Sequence, residues 1–505
     1  MRWLDLAVIA AYLAGITWFG ARFRSSQHSL RDYFLGGRTI PWWAIALSIV
    51  SAETSTLTVI GTPVLAFQGD FGFLQLVLGY LLARVVIATL FLPAYFRGEM
   101  FTAYELIRAL FGPRLRRLTA ATFLILRALA EGVRVFAISI VVSVIVGSGE
   151  TASIAVILCL TLFYTYEGGL AAVIWTDVVQ MFLYVLGAAL SLFLLVHQIP
   201  GGFAHVQAVA APLGKLRVFD FRLAPPAIFF SRTYSFWAGI IGGCFLTTAS
   251  HGTDQLMVQR LLAARTRTQS QVALFASWLV IYFQFALFLV IGVCLFVLYR
   301  DRGLPPPAIG DRLYPLFIWQ NLPPGVAGLV MAAILAASMS NLSAALNSLA
   351  STTVLDIIRP LQMLRASSAP SKAGPSSPAP SKAGLSSPAP DDASLLRLSR
   401  IATLVWGVVL GLIALLARHW GSVLQAGLSI ASIAYGGLLG VFLLGLLTKR
   451  VRENDAIVGM LCGLAAMLYV RFATPIAFTW YVLIGSATTF LVGLAVSAFH
   501  KKDPA

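Results

Sequence analysis

The chain has 505 residues, of which 59% are hydrophobic and only 11% charged. Soluble globular chains carry about 25% charged residues, so a soluble domain is excluded. The formal net charge of +16 would suggest nucleic acid in a soluble protein, but here Lys and Arg lie in loops between apolar runs, which is a membrane-topology signal and no nucleic-acid footprint.

A membrane-spanning helix needs about 20 apolar residues. Thirteen spans are expected, at 3–21, 42–67, 72–96, 118–147, 151–167, 171–198, 233–256, 273–299, 324–357, 399–417, 421–447, 454–470 and 476–498. The first run, Leu4 to Phe19, lacks a basic leader and a small-residue cleavage site and is followed by Arg22 and Arg24, so it reads as a retained helix. Cys159, Cys244, Cys294 and Cys462 sit singly in apolar segments, which argues against disulfides and zinc. Arg108, Arg114, Arg116, Arg117, Arg260, Arg265, Arg267, Lys449, Arg450 and Arg452 fall in loops of one side, placing the N-terminus outside and the C-terminus inside. The loop 199–232 is basic on the opposite side and breaks that pattern. Residues 366–392 are rich in Ser, Pro and Ala, and Ala369–Gly374 recurs at Ala379–Gly384; a disordered cytoplasmic linker is expected.

Two spans carry polar breaks. One runs Ser51 to Thr58 and then Gly61-Thr-Pro63; the other has Gly242-Gly243 and then Thr247 to Asp254. Broken helices survive in lipid only where they line a cavity, and a pair at matching positions of two halves points to a transporter site. Here they head two five-helix sets. Five is odd, so the second set enters from the opposite side, as in an inverted repeat. Ordinary Ser/Thr contact between helices is the plainer explanation of either break alone. Charges within spans are Glu53, Arg84, Arg127, Glu131, Arg134 and Asp254. Each is costly there and marks a functional position. Arg84 can pair with Glu53 or Glu131, and Glu131 with Arg134 at i,i+3. His251 reads as a hydrogen-bonded packing residue.

The segments Tyr166–Gln180, Asp254–Arg260, Ser338–Ser348 followed by Asp356, and Gly437–Gly445 resemble motifs of the sodium:solute symporter family, over roughly residues 1–470. The resemblance implies a LeuT-type fold: an all-α polytopic membrane protein of five plus five inverted helices, with extra helices at both ends. The division expected is 1–41 (N-terminal helix and cytoplasmic loop), 42–198 (first repeat), 199–232 (extracellular loop), 233–447 (second repeat) and 448–505 (two C-terminal helices and tail). It also implies Na+ as coupling ion, held by carbonyls of Ser51, Thr54 and Ala337 and side-chain oxygens of Ser340 and Asn341. Asn341 stands where the family has a hydroxyl. From the residues alone, Ser340 bonding back to its own helix competes with this role. Asp177 matches an acid on the family's cytoplasmic sodium route; of the hydroxyls that build a second sodium site with it in some members, only Ser343 is kept beside Ala344, which argues against that second ion.

For the solute, the candidates are Glu53, Thr58, Glu131, Arg134, Thr247, Ser250 and Gln425. Leu57 and Thr58 replace the amide and acidic groups of the sugar carriers, and Ser250 replaces their gating aromatic. Sialic-acid carriers of the family hold a carboxylate with an Arg on the helix that carries Arg134, and a planar guanidinium matches a carboxylate in bidentate fashion. The alternatives that stay open are a neutral sugar or polyol symporter, a membrane sensor without a signalling domain, a channel, and a membrane enzyme; against the last, the six His are scattered. A monomer in the lipid bilayer of the cell membrane is expected.

Overall fold

The computed structural model describes residues 2–22, 38–97, 103–147, 149–164, 170–358 and 392–499. These are mostly helical, with no strand among them. Residues 366–391 of the linker and residues 166–169 of the Tyr166–Gln180 motif lie outside the described residues.

Helix α1 is Trp3–Ala21. The first broken helix is α2 (Trp42–Glu53) with α3 (Thr56–Gln68). Then come α4 (Phe73–Val86, continued through Ile87–Phe91 to Tyr95), α5 (Ala103–Leu110), α6 (Pro113–Val146), α7 (Glu150–Tyr164) and α8 (Leu170–His197). Two short helices, α9 (Gly202–Ala210) and α10 (Pro226–Ser231), fill the connecting loop. The second broken helix is α11 (Gly243–Gly252) with α12 (Gln255–Leu262). It is followed by α13 (Arg267–Asp301), α14 (Leu313–Asn321), α15 (Val326–Thr352), α16 (Asp392–Ala417), α17 (Val423–Leu447), α18 (Glu453–Ala473) and α19 (Tyr481–Phe499).

Among the described residues, nine helices are long and apolar enough to cross a membrane, and α2 with α3 makes a tenth as one span bent by 64°. Length and hydropathy therefore stop short of the thirteen expected. Trp3–Phe19 and Glu150–Cys159 are shorter apolar stretches, and the seventh expected span is divided at Thr253-Asp254 between α11 and α12.

The contact pattern carries the repeat. α2 packs on α13, and its counterpart α11 packs on α4; α2 packs on α8 as α11 does on α17; α6 packs on α16 as α15 does on α7; α6 packs on α17 as α15 does on α8. Each first-set contact has a second-set twin. Two of the crossings depend on glycine. A Cβ on Gly79 of α4 would stand 2.4 Å from the Gly239 carbonyl, and one on Gly292 of α13 would stand 2.2 Å from the Pro63 carbonyl. Small residues let helix backbones approach where lipid supplies no hydrophobic drive.

The basic loop 199–232 has a local explanation. Lys215 Nζ donates to the carbonyls of Phe67 (2.8 Å) and Gly69 (3.2 Å), closing the C-terminus of α3. Arg217 pairs with Asp70, and Arg222 with Asp220. A cation at a helix C-terminus is favoured by the exposed carbonyls there. These charges serve local partners and so say little about sidedness.

Candidate functional site

The first helix break is a backbone event. Ser55 N–H donates to Glu53 O (3.2 Å) and Thr58 N–H to Ser55 O (2.9 Å). In a continuous helix these amides would serve Ser51 and Thr54, so both of those carbonyls lose their i+4 partner. Ser51 and Thr54 are buried, and Gln284 Nε2 donates to Thr54 Oγ1 at 2.7 Å. These are the two carbonyls that the sequence expects at the sodium ion. The side chains of Ala337 and Ser340, expected as further ligands, lie outside the described residues. Asn341 is half-buried on the facing helix α15, one turn beyond Ser338, whose hydroxyl is hydrogen-bonded to that of Thr56.

The second break is organised by Asp254. Its carboxylate caps α12 through Leu256 N–H (2.9 Å) and accepts from the Tyr435 hydroxyl of α17 (2.9 Å). Tyr95 OH donates to the Gly252 carbonyl at 2.6 Å, satisfying an acceptor released by the break.

Between the breaks lies a cavity of about 160 Å³. Glu53 and Thr58 face it from the first break, Thr247, Ser250, His251 and Asp254 from the second, and Arg127 and Arg134 from α6. Ser55 and Tyr435 add two hydroxyls, and most of the remaining wall is apolar or aromatic, with Phe73, Tyr80, Phe123, Phe285, Leu246, Met257 and Leu428. Gln425 is exposed and not among the lining residues. Glu131 is fully buried behind Arg134, in the wall of a smaller void.

Two charge groups flank the cavity. In the first, Arg84 donates to Glu53 (3.1 Å), Leu274 O (3.0 Å) and Tyr80 O (3.3 Å), and His251 Nε2 lies 3.3 Å from Glu53. Ser250 Oγ holds the other ring nitrogen of His251 at 2.9 Å. Of the two partners open to Arg84, the structure selects Glu53. The second group is a chain: Asp254 to Arg127 (3.6 Å), Arg127 to Glu131 (2.9 Å), and Glu131 to Arg134. Arg127, which the sequence places among the charges within spans but not among the solute candidates, is the link between the two helices. Arg127, Glu131 and Arg134 follow at i, i+4 and i+7, one face of α6, and that spacing is the signal for it.

Away from the cavity, Asp177 on α8 accepts from Ser48 Oγ (2.7 Å) and Arg260 Nη2 (3.0 Å), and Arg260 Nε also donates to Ser48 Oγ (2.9 Å). This ties α2, α8 and α12 together. Outside the spans, Asp311 accepts from the first amide of α17, Val423 N–H, at 3.0 Å, and burial pushes its carboxyl up to about 6.

Residues 33–370 match the Sodium:solute symporter family. The human sodium/iodide cotransporter is 30% identical over 97% of this chain and 72% of its own. The sodium/sialic acid symporter SiaT of Proteus mirabilis is 26% identical over 97% of this chain and 94% of its own. The Xenopus laevis sodium-coupled monocarboxylate transporter 1 is 27% identical over 89% of this chain and 68% of its own. Among solved structures, the substrate-bound outward-open state of a Na+-coupled sialic acid symporter superposes with a TM-score of 0.80 at 25% identity, covering 98% of both chains. A nucleobase-cation-symport-1 transporter in a closed conformation shares the fold, with a TM-score of 0.57 at 13% identity over 92% of this chain and 94% of its own.

Proposed function

Because the chain belongs to the Sodium:solute symporter family, we propose that it uses the inward sodium gradient to import a small carboxylate with an apolar body. It is a secondary transporter and not an enzyme. The observation that carries the solute reading is the guanidinium of Arg134 at the wall of the cavity between the two helix breaks, more exposed than the other charged groups there, Glu53, Arg127 and Asp254, which are held in ion pairs. Arg134 is 27% exposed, while its partner Glu131 is sealed, so the free face of the fork is offered to a ligand. An anion that takes two of the remaining N–H groups gains charge-assisted bonds. The iodide, sialic acid and monocarboxylate relatives are named for anions, which favours this reading.

For sodium, we place the ion against the carbonyls of Ser51, Thr54 and Ala337 and the side-chain oxygens of Ser340 and Asn341. A hard cation requires several oxygens, and the break frees two of them. Its route to the cytoplasm runs past Asp177, whose contact with Arg260 and Ser48 has to open for release. Glu53, Thr58, Thr247 and Ser250 position the solute. The protein works as a monomer in the cell membrane, N-terminus outside and C-terminus inside, with the expected division into two repeats. Cysteine labelling at Ser376 from the outside would overturn that topology.

The second reading is a neutral sugar or polyol, favoured by the Glu131 carboxylate that already neutralises Arg134. Purified protein in proteoliposomes separates the two. Benzoate and pyruvate uptake should follow an inward sodium gradient and stop when choline replaces sodium. Uptake of glucose alone would remove the carboxylate reading. Uptake driven by a pH gradient without sodium would remove the coupling ion.

A further inference from the structure

A small void separates α6 from α3 and α15. Its wall is formed by Ser55, Thr56, Glu131, Arg134, Ser338 and Asn341 together with two aliphatic side chains, and it holds about 10 Å³. That is close to the ~10–15 Å³ that admits one water-sized particle. Glu131 is fully buried. Arg127 and Arg134 both contact its Oε1, while Oε2 has no hydrogen-bond partner. A sealed carboxylate oxygen without a donor is expensive and calls for a ligand. The other oxygens at the void are the hydroxyls of Thr56 and Ser338 and the amide oxygen of Asn341, the donor set of a hard cation.

We infer that Glu131, Thr56, Ser338 and Asn341 form a second sodium site, which Arg134 keeps shut until a solute carboxylate draws its guanidinium away. This rests on the reading of Arg134 given above. The charge balance explains the coupling. Asp254 and Glu131 face Arg127 and Arg134, two against two. When a solute anion takes Arg134, Asp254 and Glu131 share Arg127 alone, and one buried negative charge is uncompensated. A buried charge that loses its partner is strongly destabilised. A cation at Glu131 Oε2 restores neutrality, so anion and cation enter together. The site shares Asn341 with the ion at Ser51 and Thr54 but takes its charge from α6, and it does not involve Asp177.

Radiolabelled sodium alone, bound to the purified full chain without solute, tests this. Wild type should bind one ion per chain. Arg134→Gln should bind two, because Glu131 is released without any anion. Adding Glu131→Gln to Arg134→Gln should return the count to one, and adding Thr56→Val should weaken the second ion about tenfold, as expected for one lost oxygen partner. A monodisperse Arg134→Gln protein that still binds one ion overturns the inference, as does a second ion that survives Glu131→Gln. Wild type that binds no sodium overturns the coupling ion itself, which is a separate failure. If Arg134→Gln does not fold, Thr56→Val alone keeps every charge; it should lower the Hill coefficient for sodium in benzoate uptake from about two toward one, and an unchanged coefficient overturns the site.

Discussion

Arg260 donates to Asp177 at 3.0 Å with each side chain only 3% exposed, and Ser48 bonds to both. Breaking such a pair from one side leaves an unpaired buried charge, at a cost of about 3–5 kcal/mol. Arg260→Met should therefore lower the unfolding temperature sharply, and Asp177→Asn in the same chain should recover much of the loss. Thermal denaturation of the purified variants checks this; a double variant whose loss equals the sum of the losses of Arg260→Met and Asp177→Asn would show the two groups to be energetically independent.

Ser340→Ala should raise the sodium concentration for half-maximal uptake about tenfold to a hundredfold, from a loss of about 1–3 kcal/mol for one buried partner. Its unfolding temperature without sodium should stay near wild type. Sodium titrations of uptake decide, and an unchanged half-maximal concentration would remove Ser340 from the ion site.

Arg134→Lys keeps the charge facing Glu131 but loses the planar fork. A pair that only joins helices would tolerate it. Carboxylate uptake should fall by more than tenfold in a protein that inserts and melts normally, for a charge-assisted bond worth about 1.5–3 kcal/mol. Normal benzoate uptake in this variant would mean that Arg134 does not hold the solute.

The parts of this site that were legible in the sequence are those that rest on local cost. Ser51 to Thr58 and Thr247 to Asp254 are polar inside apolar runs, so breaks were expected where α2 and α11 end. Glu53 and Arg84 had to find partners within the membrane, and they found each other. The link from Arg127 to Asp254 was not legible, because it joins two helices that periodicity alone does not bring together. Gln425 illustrates the limit on the other side. Leu424, Gly427, Leu428, Ala431, Tyr435 and Leu438 line the cavity at helical spacing. Gln425 is one step, about 100°, from Leu424, is exposed, and is not among the lining residues.

The carboxyl of Asp311, pushed up to about 6 by burial, makes a pH prediction. Arg312 beside it is turned to Glu150 and Ser143 and so leaves it uncompensated. A carboxyl raised in the folded state stabilises the fold fully below its unfolded value near 4, and that contribution fades as pH rises through 6. The difference is worth about 3 kcal/mol at most. Asp311→Asn keeps an acceptor for Val423 N–H without the charge. Relative to wild type it should gain stability between pH 5 and pH 8; melting curves that stay parallel over that range would contradict the assignment.

Gly292→Ala would place a Cβ 2.2 Å from the Pro63 carbonyl, so α13 has to retreat from α3. Overpacking of this kind costs about 1–3 kcal/mol. Lower melting temperature and loss of sodium-driven uptake are expected together, and a fully active, equally stable Gly292→Ala protein would show that the crossing is loose.

That crossing has a consequence for how the chain is made. α3 is closed by α13, and α11 by α4, so each five-helix set completes the other. When translation has delivered the chain only as far as His197, the polar turn at Ser51 to Thr54 has no Gln284 beside it, and Glu53 has no His251. Polar and charged side chains left without partners in lipid are costly. The nascent first half is therefore an incomplete product that has to be sheltered at the insertion machinery until the second half arrives, and the two halves mature in one concerted event.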